Sequence, residues 1–174
     1  MTTVHRTTTD DRVLAVDSGE LVEQARATLV LAFADDPVTR WLFPRATDLL
    51  EVFPRMVDAF SRDAFEQGTA RITRDGSGAA VWLPPALHID EPAMEAIVGA
   101  DIPASIRSEA ADFFGAMDSY HPDGELWYLP LIGVQPGWRE QRRGSALLAE
   151  GLARCDDEHL SVYLESTNPR NIPF

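Results

Sequence analysis

Three arginines in front of a glycine form the segment of this sequence with the clearest chemical potential. Arg139, Arg142 and Arg143 lie within five residues and directly precede Gly144. The chain has 15 basic residues, all arginine, against 28 acidic ones, for a net charge of −13. Cations at the start of a helix oppose the helix dipole, and a bound anion would offset that cost. The cluster predicts either a phosphate-binding loop or a charged surface turn.

The composition excludes several kinds of chemistry. Because the chain contains no lysine, neither a Schiff base nor a lysine nucleophile is available. His5, His88 and His159 have no metal-ligand spacing with one another or with Cys155, so no metal site is predicted. The sequence also lacks a Walker loop, a dinucleotide fingerprint and a Ser-His-Asp arrangement.

Length and charge limit the classes of protein to which the chain can belong. A chain of 174 residues, 45% apolar and 25% charged, predicts one globular domain over residues 1–174. The net charge of −13 disfavours nucleic acid and anionic membranes as partners. No apolar run approaches the roughly 20 residues of a bilayer span, and the N-terminus is polar. With Cys155 as the single cysteine, we expect a soluble, cytoplasmic protein.

The first part of the chain predicts helices that would position such a site. Apolar residues at helical spacing predict a helix over 18–34. Asp36 suits the N-cap of a short helix over 37–42 that begins with proline. A further apolar stripe predicts a helix over 49–68 with a kink at Pro54.

The middle of the chain predicts strands. Segments 69–74 and 79–85 flank Asp-Gly-Ser-Gly, which favours a hairpin. A proline-rich loop and then a helix over 102–117 are expected next. The strongest strand pattern, at 125–136, is apolar on both faces, as in a central strand. Because Pro130 cannot donate a hydrogen bond, we expect a bulge or a splayed gap in this strand.

The last third predicts a helix over 145–156 and a strand over 160–166, followed by another helix start. A strand–helix–strand crossover joins parallel neighbours, so the strands at 125–136 and 160–166 are expected to lie side by side. Together the elements predict an α/β (mixed α+β) fold with helices on both faces of a central sheet.

Four segments carry a resemblance to a known superfamily. They are AFADDPVTRWLFP (32–44), GAAVWLPP (78–85), ELWYLPLIGVQP (125–136) and YLESTNPRNIPF (163–174), and the last two are the more specific. With the basic loop, Gly-Ser and long helix between the last two, they resemble the GNAT superfamily of N-acetyltransferases. The likeness is greatest to the branch that contains puromycin N-acetyltransferase.

The resemblance implies a mixed sheet in which two parallel strands splay apart at a bulge in the first. The pantetheine arm of the co-substrate acetyl-CoA would lie in that gap, with its pyrophosphate on the amides that begin the next helix. Pro130 is an independent reason to expect the gap. The residues that this places at acetyl-CoA are Ile132, Gly133, Val134, Arg139, Gln141, Arg142, Arg143, Gly144, Ser145, Asn168 and Asn171.

The phosphate loop departs from the superfamily pattern, Gln/Arg-x-x-Gly-x-Gly/Ala, at one position. Arg142 replaces the middle glycine, where the backbone approaches the phosphates closely. An arginine fits that turn if its φ is negative. Its guanidinium then either binds a phosphate or fills the phosphate site.

A second departure concerns the end of the sequence. Members of the superfamily continue past the Pro-Arg-Asn segment with a tyrosine that acts as general acid on the leaving thiolate, and with further strands. This sequence stops at Phe174, one residue before that tyrosine. The C-terminal strands are therefore expected to be missing from it, either because the tail lies outside the given sequence or because the protein lacks the tyrosine and the closing strands. If the strand at 160–165 then lacks a neighbour, pairing into a homodimer is expected.

The implied reaction is direct attack of a free amine on the acetyl thioester. Glu165, at the carboxyl end of its strand, is the first candidate base, and a salt bridge or helix cap is an equal alternative. Tyr128, expected to share a face with Ile132, is the second catalytic candidate, with a core aromatic as its alternative. His121 is either a base or a loop histidine without a role. Asn168 is also a suitable N-cap before proline, which is compatible with a contact to acetyl-CoA.

The implied acceptor site lies between the first two helices. Asp35 and Asp36, near Trp41, suit a cationic and partly apolar amine, although helix capping is the preferred interpretation of Asp36. The sequence as a whole predicts an enzyme that transfers an acetyl group from acetyl-CoA to a small-molecule primary amine. The alternative is a catalytically degenerate GNAT-fold protein that binds a ligand or a partner.

Overall fold

A five-stranded mixed sheet lies at the centre of the computed structural model, which describes residues 12–172. His5 and Phe174 lie outside these residues. The strands lie in chain order; the first four pair antiparallel, and the last two are parallel neighbours, as predicted. The strands are β1 Val13–Ala15, β2 Arg71–Thr73, β3 Gly78–Leu83, β4 Leu126–Val134 and β5 Ser161–Tyr163.

Helices cover both faces of this sheet, and two short 3-10 helices, Pro136–Trp138 and Pro169–Asn171, lie in the last third. In the described part of the chain, no helix is long and apolar enough to cross a bilayer. The α-helices are α1 Gly19–Ala32, α2 Pro37–Leu42, α3 Ala46–Glu51, α4 Phe53–Glu66, α5 Glu91–Ala100, α6 Arg107–Tyr120 and α7 Arg143–Glu158.

Side-chain caps explain where several helices begin. The Ser18 hydroxyl accepts a hydrogen bond from an amide in the first turn of α1. Asp36 accepts from two amides of α2, at 3.0 and 3.1 Å, and Pro37 is the first residue of that helix. Each cap satisfies amides that have no partner inside the helix. The predicted first two helices are confirmed.

Two predictions about helices are wrong because proline also starts helices. The expected kink at Pro54 is a full break, with Pro54 in the first turn of α4, where its missing amide hydrogen costs nothing. The expected proline-rich loop contains α5. Asp90 caps this helix by accepting a hydrogen bond from the Ala93 amide at 3.0 Å, and Pro92 lies in its first turn.

β4 contains the bulge predicted at Pro130. Val81 pairs with Leu131, whereas Leu83 pairs with Tyr128, so a single residue of β3 lies opposite two residues of β4. A proline is tolerated there because the extra residue takes no part in the ladder.

The bulge reverses which face successive β4 side chains occupy. Tyr128 packs against the core under α1 and α4, and Leu129 packs on the α7 side. Past the bulge, Leu131 lies on the α1 side and Ile132 on the α7 side. The expectation that Tyr128 and Ile132 share a face is therefore wrong, because one extra residue shifts the alternation by one.

Two apolar cores form, one on each face of the sheet. The larger core, on the α1 and α4 side, includes Leu29, Phe43, Phe53, Val57, Ile72, Leu83 and Leu131. The smaller core, on the α7 side, consists of Val13, Ala80, Trp82, Trp127, Leu129, Ala146, Leu147 and Cys155. The predicted covering of both faces is confirmed.

α7 lies directly on the sheet because one of its residues has no side chain. A Cβ atom at Gly151 would lie 2.0 Å from Cζ2 of the buried Trp82 ring. Beside this contact, Arg71 of β2 donates to Glu150 of α7 at 2.8 Å, and both side chains are largely buried. These contacts fix the position of the helix whose first turn follows the arginine-rich loop.

Replacing Gly151 by alanine should therefore destabilise the fold. We expect Gly151→Ala to lower the free energy of unfolding by about 1–3 kcal/mol, the usual cost of overpacking a core. Urea denaturation would measure it. At Gly115, in α6, a Cβ atom would meet nothing within 4 Å, so Gly115→Ala is the matched control and should raise stability by about 0.5–1 kcal/mol. Equal effects of the two changes would contradict the close helix–sheet packing.

Candidate active site

β4 and β5 form a fork. They pair at Leu126–Ser161, Trp127–Val162 and Tyr128–Tyr163, and in the described residues the parallel pairing stops there. On its other edge β4 stays paired with β3 as far as Val134. From the bulge onward, the β5 side of β4 therefore has no strand partner within residues 12–172, and the predicted splayed gap is confirmed.

Ile132, Gly133 and Val134 lie on the open branch of this fork. A Cβ atom at Gly133 would lie 2.6 Å from Cβ of Ala32, so only glycine lets α1 come this close to β4. Ile132 packs on the α7 side. Backbone amides and carbonyls that face the gap need hydrogen-bond partners, and an extended ligand with amide groups would supply them.

The loop between β4 and α7 holds two non-glycine residues in the left-handed conformation. Glu140 has a φ of 61° and Arg142 a φ of 62°. A negative φ was the condition under which arginine was expected to fit this turn, but the residue adopts the left-handed conformation that glycine favours. The general cost is about 1–2 kcal/mol per residue. Arg142 is the N-cap of α7, and no side chain of the described chain caps the helix, so its first amides face outward.

Arg139 and Asp35, predicted to bind different substrates, bind each other. The guanidinium donates to both Asp35 oxygens, at 2.9 and 2.8 Å, and to the Ala32 carbonyl at 2.9 Å. The hydrogen bond from Arg139 holds the pKa of Asp35 below its usual range. This contact ties the arginine-rich loop to the end of α1.

Arg143 is held in a similar way at the tip of the β2–β3 hairpin. It donates to Asp75 at 3.0 and 2.6 Å and lies 4.4 Å over the ring of Trp138. Burial alone would raise the pKa of Asp75, but hydrogen bonds from Arg143, Ser77 and Thr73 hold it well below its usual range. No role for Asp75 was predicted from the sequence, because its neighbours in the chain indicate only a turn.

Arg142 differs from these two arginines. Within residues 12–172 no side chain or carbonyl holds its guanidinium, and it is exposed. It lines a cleft of about 450 Å³ in front of α7. The other residues that line the cleft are Arg12, Thr73, Arg74, Asp75, Gln141, Arg143 and Ala146. In a protein with net charge −13, this concentration of arginine makes the cleft the natural place for an anion.

A cluster of three rings and a carboxylate lies at the base of the fork. Tyr128 and Tyr163, the last paired residues of the two strands, stack with ring centroids 5.9 Å apart. His121 contacts both rings edge-on, at 5.1 and 4.9 Å. Burial, and then the neighbouring Glu165 carboxylate, raises the pKa of Tyr128 above its usual range. We call His121, Tyr128, Tyr163 and Glu165 the fork cluster.

Comparison with known proteins identifies this arrangement. No family model matches the chain. A histone acetyltransferase HPA2 and related acetyltransferase from Corynebacterium glutamicum superposes with a TM-score of 0.59 at 27% identity, covering 91% of this chain and 77% of that one. The polyamine N-acetyltransferase of Drosophila melanogaster gives 0.59 at 21% identity, over 92% and 78%. Arylalkylamine N-acetyltransferase 2 of Aedes aegypti gives 0.59 at 14% identity, over 91% and 77%.

The chain has the GNAT fold. The acetyltransferase at 27% identity confirms the predicted superfamily and the predicted class, a GNAT-type N-acetyltransferase, and the other structures share the fold. The resemblance to the puromycin N-acetyltransferase branch stays a prediction.

The remaining predicted site residues occupy varied positions in this GNAT fold. Asp36 is buried; one oxygen caps α2 and the other accepts from the Thr167 hydroxyl at 2.6 Å. Trp41 packs edge-on against Phe113 of α6, 6.0 Å between centroids. Asn168 caps the final 3-10 helix, accepting from the Arg170 amide at 3.1 Å. The others are Gln141, Ser145 and Asn171, which are exposed, and Gly144, which is half-buried.

Tyr163 belongs to the site but was not predicted from the sequence. Its pairing with Tyr128 follows from the parallel crossover, but the register of two short strands is not readable from their composition. For His121 the sequence left two interpretations open, and its contact with both tyrosines is a tertiary contact across three elements.

The left-handed conformation of Arg142 generates a test of the loop between β4 and α7. Arg142→Gly should raise the free energy of unfolding by about 0.5–1 kcal/mol, because glycine adopts this φ without the clash of a Cβ atom. Arg142→Ala removes the same guanidinium but keeps the Cβ atom, so it should bring no such gain. Urea denaturation of both variants separates the effect of the backbone conformation on stability from the effect of losing the guanidinium. An alanine variant at least as stable as the glycine variant would contradict the left-handed turn.

Proposed function

We propose that this protein transfers the acetyl group of acetyl-CoA to a small-molecule primary amine by direct attack. The observation that carries the proposal is the open fork between β4 and β5, together with the uncapped, arginine-rich start of α7 that follows β4 in the chain. The known activities of structural neighbours support it: one forms N-acetylagmatine and another is an arylalkylamine N-acetyltransferase.

The open branch of β4 suits the pantetheine arm. The arm carries amide groups, and the backbone of 132–134 lies where β4 has left β5. The amides in the first turn of α7 suit a pyrophosphate, because they carry partial positive charge and no side chain of the described residues caps them. The donor set present therefore fits acetyl-CoA.

In this proposal, Arg142 is the residue whose side chain binds a phosphate. Arg139 and Arg143 are both held by carboxylates, which stiffens the loop but occupies their guanidinium groups. The Arg142 guanidinium lines the cleft beside them. Since its backbone already has the conformation of the replaced glycine, the substitution adds a cation without closing the turn. We therefore propose that Arg142 binds a phosphate rather than occupying the phosphate site.

The fork cluster supplies the polar groups for the acceptor. Glu165 and Tyr128 are the proposed catalytic pair: a carboxylate beside the fork attracts the ammonium form of the amine, and the protonated Tyr128 hydroxyl donates a hydrogen bond. Asp35, Asp36 and Trp41 are proposed to shape the approach to the cluster rather than to bind the ammonium. Both Asp36 oxygens are already engaged.

A second candidate is a GNAT-fold protein that binds a ligand without catalysis. The observation that favours it is the Arg139–Asp35 contact, which occupies the first arginine of the phosphate loop. A cytoplasmic location, a single domain and a homodimer stay predictions from the sequence.

Acetyl-CoA binding tests the role of Arg142. In calorimetry, Arg142→Gly should weaken binding about tenfold, since a hydrogen bond to a charged group contributes roughly 1.5–3 kcal/mol and solvent exposure places it at the lower end. The loss should shrink in high salt. Arg45→Gly is the matched control, because Arg45 is also an exposed N-cap arginine, on α3. Tighter binding by Arg142→Gly would mean that the guanidinium occupies the phosphate site.

Thiol release with a panel of primary amines separates the two candidate functions. Steady turnover with any amine is the expected result and rules out the non-catalytic candidate. Binding of acetyl-CoA without turnover favours that candidate, and no binding at millimolar acetyl-CoA overturns both the cofactor and the enzyme proposals.

A further inference from the structure

His121 lies on the fork, at the point where the paired strands separate. It is the C-cap residue of α6, and its ring contacts the last paired residue of each strand. The centroid distances are 5.1 Å to Tyr128 and 4.9 Å to Tyr163, with both contacts edge-on. Two strands and one helix thus hold a single imidazole where the gap opens. The imidazole is nevertheless exposed, so a ligand in the gap can reach it.

The hydrogen bond between the His121 ring and the backbone determines which ring nitrogen keeps a lone pair. Nδ1 lies 3.3 Å from the Pro122 carbonyl oxygen, which can only accept. In the neutral imidazole Nδ1 therefore carries the hydrogen, and Nε2 keeps a lone pair. This is the arrangement of a histidine that accepts a proton at Nε2.

Glu165, the base suggested by the sequence, is less free than its position at the end of a strand suggests. The Glu165 carboxylate lies beside both tyrosine hydroxyls of the fork cluster. Burial comes first, and this carboxylate second, in raising the pKa of Tyr128, so that hydroxyl remains a donor. Two neighbouring hydroxyl groups occupy part of the hydrogen-bonding capacity of this carboxylate. It remains well suited to attract a cation.

We propose that His121 is the proton acceptor of the acetyl transfer, while Glu165 holds the ammonium group of the acceptor amine. This proposal rests on the proposed function. It assigns the acceptance of the proton and the binding of the ammonium group to two different residues. The titratable groups in contact with His121 are Tyr128 from β4 and Tyr163 from β5. Glu165, after β5, lies beside both tyrosines.

The proton balance is simple. An N–H bond of the substrate ammonium breaks, and an N–H bond forms at Nε2 of His121. The neutral amine then attacks the thioester carbon, its N–C bond forms, and the C–S bond breaks with the electron pair on sulfur. The amide nitrogen loses its second proton, which goes to the thiolate, and the imidazolium returns its proton to water.

The experiment compares steady-state kinetics of His121→Phe and His121→Gln with those of the wild type. Phenylalanine keeps a ring against both tyrosines but accepts no proton, so a packing role would survive in it. We expect kcat to fall about 100-fold in both variants, the lower end of what general base catalysis contributes. The loss should shrink as pH rises, because more of the amine is then free base. Acetyl-CoA binding should stay unchanged.

Two further variants complete the test. Glu165→Gln should mainly raise KM for the amine, because it removes the charge that holds the ammonium. His88→Gln, at an exposed histidine of another loop, should leave all parameters unchanged.

Wild-type kcat and pH profile in His121→Phe would overturn the assignment while leaving the acetyltransferase proposal intact. A loss of kcat that is the same at every pH would overturn it too. If the wild type turns over no amine, the proposed function fails and the role of His121 fails with it.

Discussion

Pro130 has no amide hydrogen, and the sheet accommodates it by placing two residues of β4 opposite one residue of β3. That extra residue has two consequences. It reverses the alternation of side chains, so Tyr128 lies on the α1 side and Ile132 on the α7 side. It also coincides with the end of the β4–β5 pairing at Tyr128 and Tyr163. The gap thus opens, with the two tyrosine rings at its base, at the one residue of β4 that cannot donate to a ladder.

In the proposed function, the charges of the loop arginines determine where an anionic ligand binds. The other two arginines of the phosphate loop are each paired with a carboxylate, Arg139 with Asp35 and Arg143 with Asp75. Such pairs contribute little stability at the surface, but they fix the loop that carries them. Arg142 keeps its charge uncompensated at the start of α7, against the helix dipole. An uncompensated cation at that position is unfavourable without a ligand, which supports the proposal that a phosphate binds there.

The sequence predicted what local chemistry determines. The Asp36–Pro37 helix start, the hairpin and the bulge at Pro130 each depend on residues adjacent in the chain, and all three are confirmed. The same reasoning failed for two prolines, because a proline can either interrupt a helix or lie in its first turn. Pro54 and Pro92 were interpreted as interruptions although each lies in the first turn of a helix. The left-handed Arg142 and the contact of His121 with two strands depend on tertiary packing, which no spacing in the sequence encodes.

The proposed function assigns its two substrates to regions that differ in charge. The arginine-lined cleft is bordered by Ala146 of α7, whereas Tyr128 belongs to the face covered by α1 and α4. In the proposed function, the anionic donor lies against the arginines and the cationic acceptor against Glu165 at the fork. The net charge of −13 would favour the encounter with a cation. The proposed anion instead needs a local concentration of positive charge, which the arginine-rich loop would provide in an otherwise acidic chain.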